Sequence, residues 1–223
     1  VTALTKPLLL RDEVFLLGHD GDTGRPHIHP QALALGLAGA VLIDLFLTRH
    51  ITLTPAGDPH LYPHRHHKRP TGDLIADTAI TSIRHATTPP PLRGWLRAFS
   101  TDLYTRTRTT LVTTGILHHH QRRRIAGLVR TNTYLPSHTR WHIIPHARLC
   151  ALANGREPPD NHIAALAGLI CVLRLANHLR LDNNTATLPT RLQNTANQHY
   201  QPIRAITTAI DTTIGDLTTA TYR

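Results

Sequence analysis

Ala32 to Leu47, ALALGLAGAVLIDLFL, is the stretch whose reading decides the fold. It is apolar on nearly every face, and Gly36, Gly39 and several alanines keep part of it slim. A helix that is hydrophobic all round belongs in the middle of a bundle or in a bilayer. Asp44 interrupts the run, leaving it short of the roughly 20 residues needed to cross about 30 Å of hydrocarbon. The small residues allow neighbouring backbones a close approach. The stretch therefore reads as the buried central helix of a mainly α-helical bundle. A short membrane hairpin or re-entrant span is the alternative.

Working outward, Leu8 to Leu17 (LLLRDEVFLL) has the pattern of an amphipathic helix with Arg11, Asp12 and Glu13 on its wet side. His19 to Arg25 (HDGDTGR) is a turn rich in Gly and Asp, and Pro30 suits the first turn of the central helix. Ile51 to Thr54 alternates apolar with polar, as a half-buried strand does. Pro55 to Pro70 is a loop or loose hairpin. Asp73 is placed to cap a helix over Leu74 to His85, which the prolines ending at Pro91 terminate. Leu92, Leu96, Phe99, Leu103 and Leu111 keep helical spacing as far as Thr113, with Arg106 and Arg108 near the middle, and Gly115 closes the run.

From Ile116 to Tyr134 the pattern changes to a hairpin. Arg122, Arg123 and Arg124 precede Ile125-Ala126-Gly127-Leu128-Val129, and Arg130 follows; the Ala-Gly pair between short apolar runs is the turn signal. Helices are expected again over Thr139 to Ala153 and, after a break at Asn154 to Asp160, over Asn161 to Leu181. The latter is very apolar and reads as the partner of the central helix. A last helix or pair of helices fills Pro189 to Tyr222. With short linkers and no internal repeat, residues 1–223 are expected to form a single domain.

Charge narrows the partners. The 223 residues carry 24 Lys and Arg against 14 Asp and Glu, a formal net charge of +10 before 18 histidines are counted. That balance favours an anionic partner: nucleic acid, an acidic membrane surface or an anionic small molecule. GC-rich bacterial coding explains part of the excess, since Lys6 and Lys68 are the only lysines and Met is absent. It does not explain where the arginines cluster. Cys150 and Cys171 sit in apolar helical contexts; they could form one bridge, but buried reduced thiols are the expectation. Val1 to Lys6 has no secretory pattern, so a cytoplasmic location is expected.

The basic hairpin is the first candidate for function. Ile125, Leu128 and Val129 ringed by Arg122, Arg123, Arg124 and Arg130 have the make-up of a peripheral membrane wedge. Apolar side chains gain about 1.5–3 kcal/mol each when fully buried, and basic residues add about 1 kcal/mol each over an anionic leaflet. The alternative is a tip packed on its own molecule or on a neighbouring subunit. The histidines, at His60, His64, His66 and His67 and again at His118, His119 and His120, invite a metal reading. Adjacent positions rarely converge on one ion, so a solvated polar loop is the better reading and no metal site is expected. No Gly-x-Ser-x-Gly, no phosphate-cradling Gly-Lys-Ser/Thr loop and no His-Glu-x-x-His occurs, so nothing proposes an enzyme or a cofactor. Aromatics at 4% argue against a stacking platform for single strands, and no helix-turn-helix stands out. Nucleic-acid binding and a lipid-independent protein scaffold are the rival readings.

Four blocks carry a family resemblance: LLLRDEVFLLGHDGDTG at Leu8–Gly24, GLAGAVLIDLFLTRHITL at Gly36–Leu53, PTGDLIADTAITSI at Pro70–Ile83 and LVTTGIL at Leu111–Leu117. In this order and spacing the chain resembles the Golgi phosphoprotein 3 family in its bacterial branch. The resemblance implies a helical bundle with amphipathic helices outside and one projecting β-hairpin at the membrane-facing surface. It also implies binding of phosphatidylinositol 4-phosphate and an adaptor role toward membrane-protein tails. The family's headgroup residues transfer unevenly. Its tryptophan falls at about His29, its arginine in the Gly-Leu-x-Gly block is Ala38, and two further arginines fall near Thr101 and Tyr104, with Arg106 at a neighbouring basic position. Arg25, His29, Arg106 and Arg108, with the hairpin arginines, are therefore the candidate headgroup residues. A peripheral membrane location with anionic lipid as partner follows, and homo-oligomers fit the same reading.

Overall fold

In the computed structural model the described residues are 8–63, 70–124, 129–156, 158, 160–179, 190, 192 and 201–221; side chains are described outside 122–131 and 218–221. The elements run α1 (Leu10–Leu17), α2 (Pro30–Leu47), β1 (Ile51–Leu53), β2 (Pro59–Leu61), α3 (Leu74–Arg84), α4 (Leu92–Ser100), α5 (Leu103–Thr113), β3 (Leu117–Arg124) and β4 (Val129–Pro136). After the strands come α6 (Arg140–Ala153), α7 (Asn161–Val172), a 3-10 turn at Leu175–Asn177 and α8 (Gln201–Thr221).

The central helix is as expected. α2 packs against α1, α3, α4, α5, α7 and α8. By length and composition it is apolar enough to cross a membrane, but 67% of it is buried inside the protein. Its neighbours bury that surface in place of lipid. Its glycines are filled by side chains and not by a backbone: a Cβ on Gly36 would strike Leu173, and one on Gly39 would strike Ile210 of α8.

α1 corrects the amphipathic reading. All eight of its residues are buried, with Arg11 at 1% exposure, Asp12 at 7% and Glu13 at 4%. The charged side chains turn inward because each finds a partner. Arg11 pairs with Asp12 at 2.9 Å and with Asp73 at 2.6 Å. Glu13 accepts from His162 Nε2 of α7 at 2.7 Å, and Arg148 of α6 lies 3.8 Å away. Buried charge is tolerated only when paired in this way. Asp73 also caps α3 by accepting from Ile75 N–H at 3.2 Å, so one carboxylate joins the two helices.

Two expected helices are shorter than their patterns. The run from Leu92 to Thr113 breaks at Thr101 and Asp102 into α4 and α5, where the hydroxyls of Ser100 and Thr101 bond back to the Arg97 carbonyl. Such side-chain bonds compete with the helical ladder. The run from Asn161 ends at Val172 and not at Leu181; Arg174 takes a left-handed φ of 56° and starts the 3-10 turn. α8 closes over α2, α4 and α7, with Asp216 tied to both Arg93 and Arg97 of α4.

Two antiparallel hairpins complete the fold. β1 pairs with β2, so of the loop and hairpin readings of the segment after Thr54 it is the hairpin that forms at Pro59–Leu61. β3 pairs with β4 from Leu117↔Pro136 to Arg124↔Val129. His118, His119 and His120 lie in β3 and not in a loop. Of the first histidine group only His60 is described, exposed in β2; His64, His66 and His67 lie outside the described residues.

Candidate functional site

The chemistry gathers where the 20–26 turn, α5 and the β3–β4 hairpin meet. The turn is built by Asp20, whose Oδ1 accepts from the N–H groups of Asp22 (3.2 Å) and Thr23 (2.7 Å) and from the Thr23 hydroxyl (2.7 Å). Those bonds hold the Asp20 carboxyl below its ordinary pKa. Backbone bonds Gly24 N→Asp20 O (2.8 Å) and Asp20 N→Arg25 O (2.9 Å) close it. Gly24 is required twice over: its φ is +65°, and a Cβ there would collide with the Tyr134 carbonyl of β4. The turn is thus pressed edge-on against the hairpin, and Arg25 emerges beside it.

The hairpin leaves the protein body almost at once. Leu117 is buried, while His118 to Gln121 are exposed. The register alternates two faces: Leu117, His119, Tyr134 and Pro136 share one, while His118, His120, Thr133 and Leu135 share the other. The His119 and Tyr134 rings stack at 4.9 Å. Over Tyr134, with its Cζ 4.5 Å from the ring centroid, lies Arg108 of α5; the same guanidinium is 5.7 Å from the Tyr104 ring, one helical turn away. Cation–π contacts of this kind contribute about 0.5–2 kcal/mol, and they fix where the charge sits.

Tyr104 is itself locked from behind. The Phe15 carbonyl can only accept, so its 2.7 Å contact with His19 Nδ1 puts the imidazole proton there. His19 Nε2 then accepts from the Tyr104 hydroxyl at 2.8 Å. Burial, with Arg108 as a minor contributor, holds His19 down to about 4, so the ring is neutral at pH 7. Burial pushes the Tyr104 phenol up as well. Phe15 stacks on His19 at 4.3 Å, and the space left behind this group is only about 20 Å³, about one water. Among the described residues no deep ligand chamber exists there.

In front of Tyr104 and Arg108 opens a cleft of about 540 Å³, lined also by Arg25, His120, Asn132 and Tyr134. Asp22 lines it too, as the one carboxylate on its rim among the described residues. Neither Arg25 nor Arg108 forms an ion pair among the described residues. Two cations, an imidazole and hydrogen-bonding side chains around an open cleft suit an anionic ligand approached from the surface.

The structure brings together two of the four candidate headgroup residues, Arg25 and Arg108. Arg106 points elsewhere: it donates to Thr78 Oγ1 at 3.0 Å, pairs with Asp102 at 3.7 Å and lies 5.9 Å over Phe99. His29 caps α2 by accepting from Gln31 N–H at 3.3 Å. Among the hairpin candidates, the register sets Arg123 opposite Arg130, Arg122 opposite Thr131 and Arg124 opposite Val129; Ile125 and Leu128 lie outside the described residues. At the family positions, Ala38 is fully buried in α2, Thr101 is exposed, and Tyr104 is part of the cleft. The sequence reading missed Tyr104, Tyr134, His19 and His120. The Tyr104–Arg108 spacing of four on a helix was the available signal. No three His, Cys, Asp or Glu side chains converge as a metal set among the described residues.

Fold and cleft define a class: a helical protein built round one buried helix, with an antiparallel hairpin standing over a cationic cleft. The family model described as Golgi phosphoprotein 3 (GPP34) matches residues 10–212, and the chain belongs to that family. At family level these are Golgi-associated, phosphoinositide-binding adaptors, and the family is not known as one of enzymes. No curated protein matches the chain.

Proposed function

We propose that this chain is a non-enzymatic peripheral membrane protein whose cleft between the 20–26 turn and the hairpin takes an anionic, phosphoinositide-like lipid headgroup. Residues 1–223 act as one domain, on the cytoplasmic side of the membrane. Arg108 and Arg25 bind the phosphate. The arginines of the hairpin, Arg122, Arg123, Arg124 and Arg130, meet the leaflet, and Ile125, Leu128 and Val129 enter it. An adaptor role toward membrane-protein tails accompanies lipid binding, in keeping with the family.

The observation that carries this reading is the Arg108 guanidinium, held 4.5 Å over Tyr134 with no carboxylate partner among the described residues. A positioned cation with no counter-ion among the described residues is suited to an external one. Because Ala38 and Tyr104 stand where the family has arginines, the ligand set differs from the family's 4-phosphate site, and Arg25 and Arg108 replace it. Vesicle sedimentation tests the proposal. Binding rises with anionic lipid content, falls with salt, and drops about 10- to 100-fold in R108Q, the loss of one charge-assisted contact worth about 1.5–3 kcal/mol. Binding indifferent to lipid charge, salt and R108Q overturns it.

A further inference from the structure

A second and larger cleft, about 810 Å³, shares Asp22 and Thr23 with the first but has a different chemistry. Four histidines line it: His27 from the turn, His142 and His146 from α6, and His178 after the 3-10 turn. They come from three segments distant in sequence and belong to neither histidine run that the sequence makes conspicuous. The His27 and His178 rings stack at 4.9 Å and 13°, and His142 and His146 lie 6.4 Å apart at 21°. The His142 ring is 3.6 Å from where a Cβ on Gly21 would stand, so the turn and α6 touch through it. His142 Nε2 is buried and has no hydrogen-bond partner among the described residues. His146 Nδ1 faces Cys150 Sγ at 3.8 Å.

Among the described residues, the charged and titratable groups on the walls are these four imidazoles and the carboxylates of Asp20 and Asp22. With the imidazoles neutral the lining is negative by two charges. With all four protonated it is positive by two. Imidazole is the side chain that makes this change between about pH 8 and 5. Burial, then the facing His178, holds His27 below its ordinary value, while Asp20 acts the other way. Two stacked imidazolium rings repel each other unless an anion stands between or beside them. Among the described residues these donors do not converge as a metal set.

We propose that the histidine cleft is a second anion-binding site, for a phosphate- or sulfate-class oxyanion, which fills as its imidazoles take up protons and empties near neutrality. The proton uptake and the anion are linked: each imidazolium formed strengthens oxyanion binding, and the bound oxyanion raises proton affinity in return. This site is independent of the Arg108 cleft and stands or falls separately from it.

Inorganic sulfate is the probe, because its charge is the same at pH 5.5 and 7.5. It is titrated into the full chain, with the histidine Cε1–Hε1 resonances and calorimetry as readouts. The expected result is saturable binding at pH 5.5, with His27 and His178 shifting together, and affinity at least about tenfold lower at pH 7.5. The H27Q/H178Q variant loses the pH 5.5 binding by a similar factor, and R108Q retains it. H178Q alone, at an exposed position, serves if the double variant fails to fold. No sulfate-dependent shift of the His27 and His178 resonances at pH 5.5, equal shifts at both pH values, or their loss in R108Q with retention of sulfate binding in the histidine variants overturns the proposal.

Discussion

The backbone N–H of Leu10 donates to Asp44 Oδ2 at 3.0 Å, across 34 positions of sequence. The one charged residue of the central helix therefore satisfies an orphan donor at the start of α1, where Leu9 supplies no side-chain cap. Burial pushes the Asp44 carboxyl up to about 7, with nearby His162 and the Leu10 N–H acting against it. The same neighbourhood raises His162, chiefly through its hydrogen bond to Glu13 against the cost of burial.

A pH dependence follows from that carboxyl. Its folded value lies above the unfolded value of 3.8, so the native state holds the extra proton between the two. Its stabilising effect is full below the unfolded value and is lost as pH rises toward about 7. The substitution D44N keeps an acceptor for the Leu10 N–H and leaves nothing there to ionise. Stability of this variant relative to wild type should rise from pH 4 to about 7 and then level off. His19 opposes this in wild type: its value is lowered to about 4, so its contribution is lost as pH falls below its ordinary 6.5. Urea unfolding of both proteins across pH 4–8 checks the difference; parallel profiles would remove Asp44 from the account.

Apolar pattern, cap chemistry and the turn signal were enough to place α2, the proline of its first turn, the Asp73 cap and the β3–β4 hairpin, because each is local in sequence. Charge in α1 was not legible. Arg11, Asp12 and Glu13 look like a solvated face until Asp73, His162 and Arg148 are seen to meet them, and those partners are remote in sequence. The cleft was half legible for the same reason. Arg25 and Arg108 drew notice as cations, whereas Tyr134 and the four cleft histidines acquire meaning only through tertiary contact. The consecutive histidines of β3 read as a solvated loop; they are exposed but lie in a strand, whose geometry sends neighbours to opposite faces.

Arg11 gives a second test. The residue is 1% exposed, and its guanidinium pairs with both Asp12 and Asp73. Breaking a buried pair from one side costs about 3–5 kcal/mol because the remaining charge is left uncompensated. R11A should therefore lower Tm by roughly 10 °C at pH 8, using about 2–4 °C per kcal/mol for a chain of this size. Burial already raises Asp12, and removing Arg11 raises it further, so protonation relieves the deficit in acid. A calorimetric Tm loss smaller at pH 5 than at pH 8 is expected. Equal losses would mean that shape and not charge was lost.

Gly39 tests the central packing. A Cβ there would run into the Ile210 side chain of α8, which is fully buried. G39A gains helix propensity of about 1 kcal/mol, yet overpacking costs about 1–3 kcal/mol. The collision should win, leaving G39A less stable by up to about 2 kcal/mol. The variant G39A/I210V makes room and should recover most of it. Denaturant midpoints with unchanged slopes would check this; a stabilised G39A would place α8 further from α2.

The membrane proposal has two separable halves, and the hairpin tip distinguishes them. Replacing Ile125, Leu128 and Val129 with serine removes apolar surface and leaves every arginine in place. If the tip enters the leaflet, each side chain contributes some fraction of about 1.5–3 kcal/mol. Vesicle binding should then fall at least tenfold at all salt concentrations, with the salt slope unchanged. R108Q, by contrast, removes a charge and should flatten the salt slope while leaving the apolar contribution intact. Thermal unfolding of the triple-serine variant should match wild type, since Arg124↔Val129 is the outermost described pair and the core begins at Leu117. Lowered Tm with unchanged vesicle binding would instead assign those side chains to packing within the protein. In that outcome only the Arg108 cleft would remain to hold the lipid.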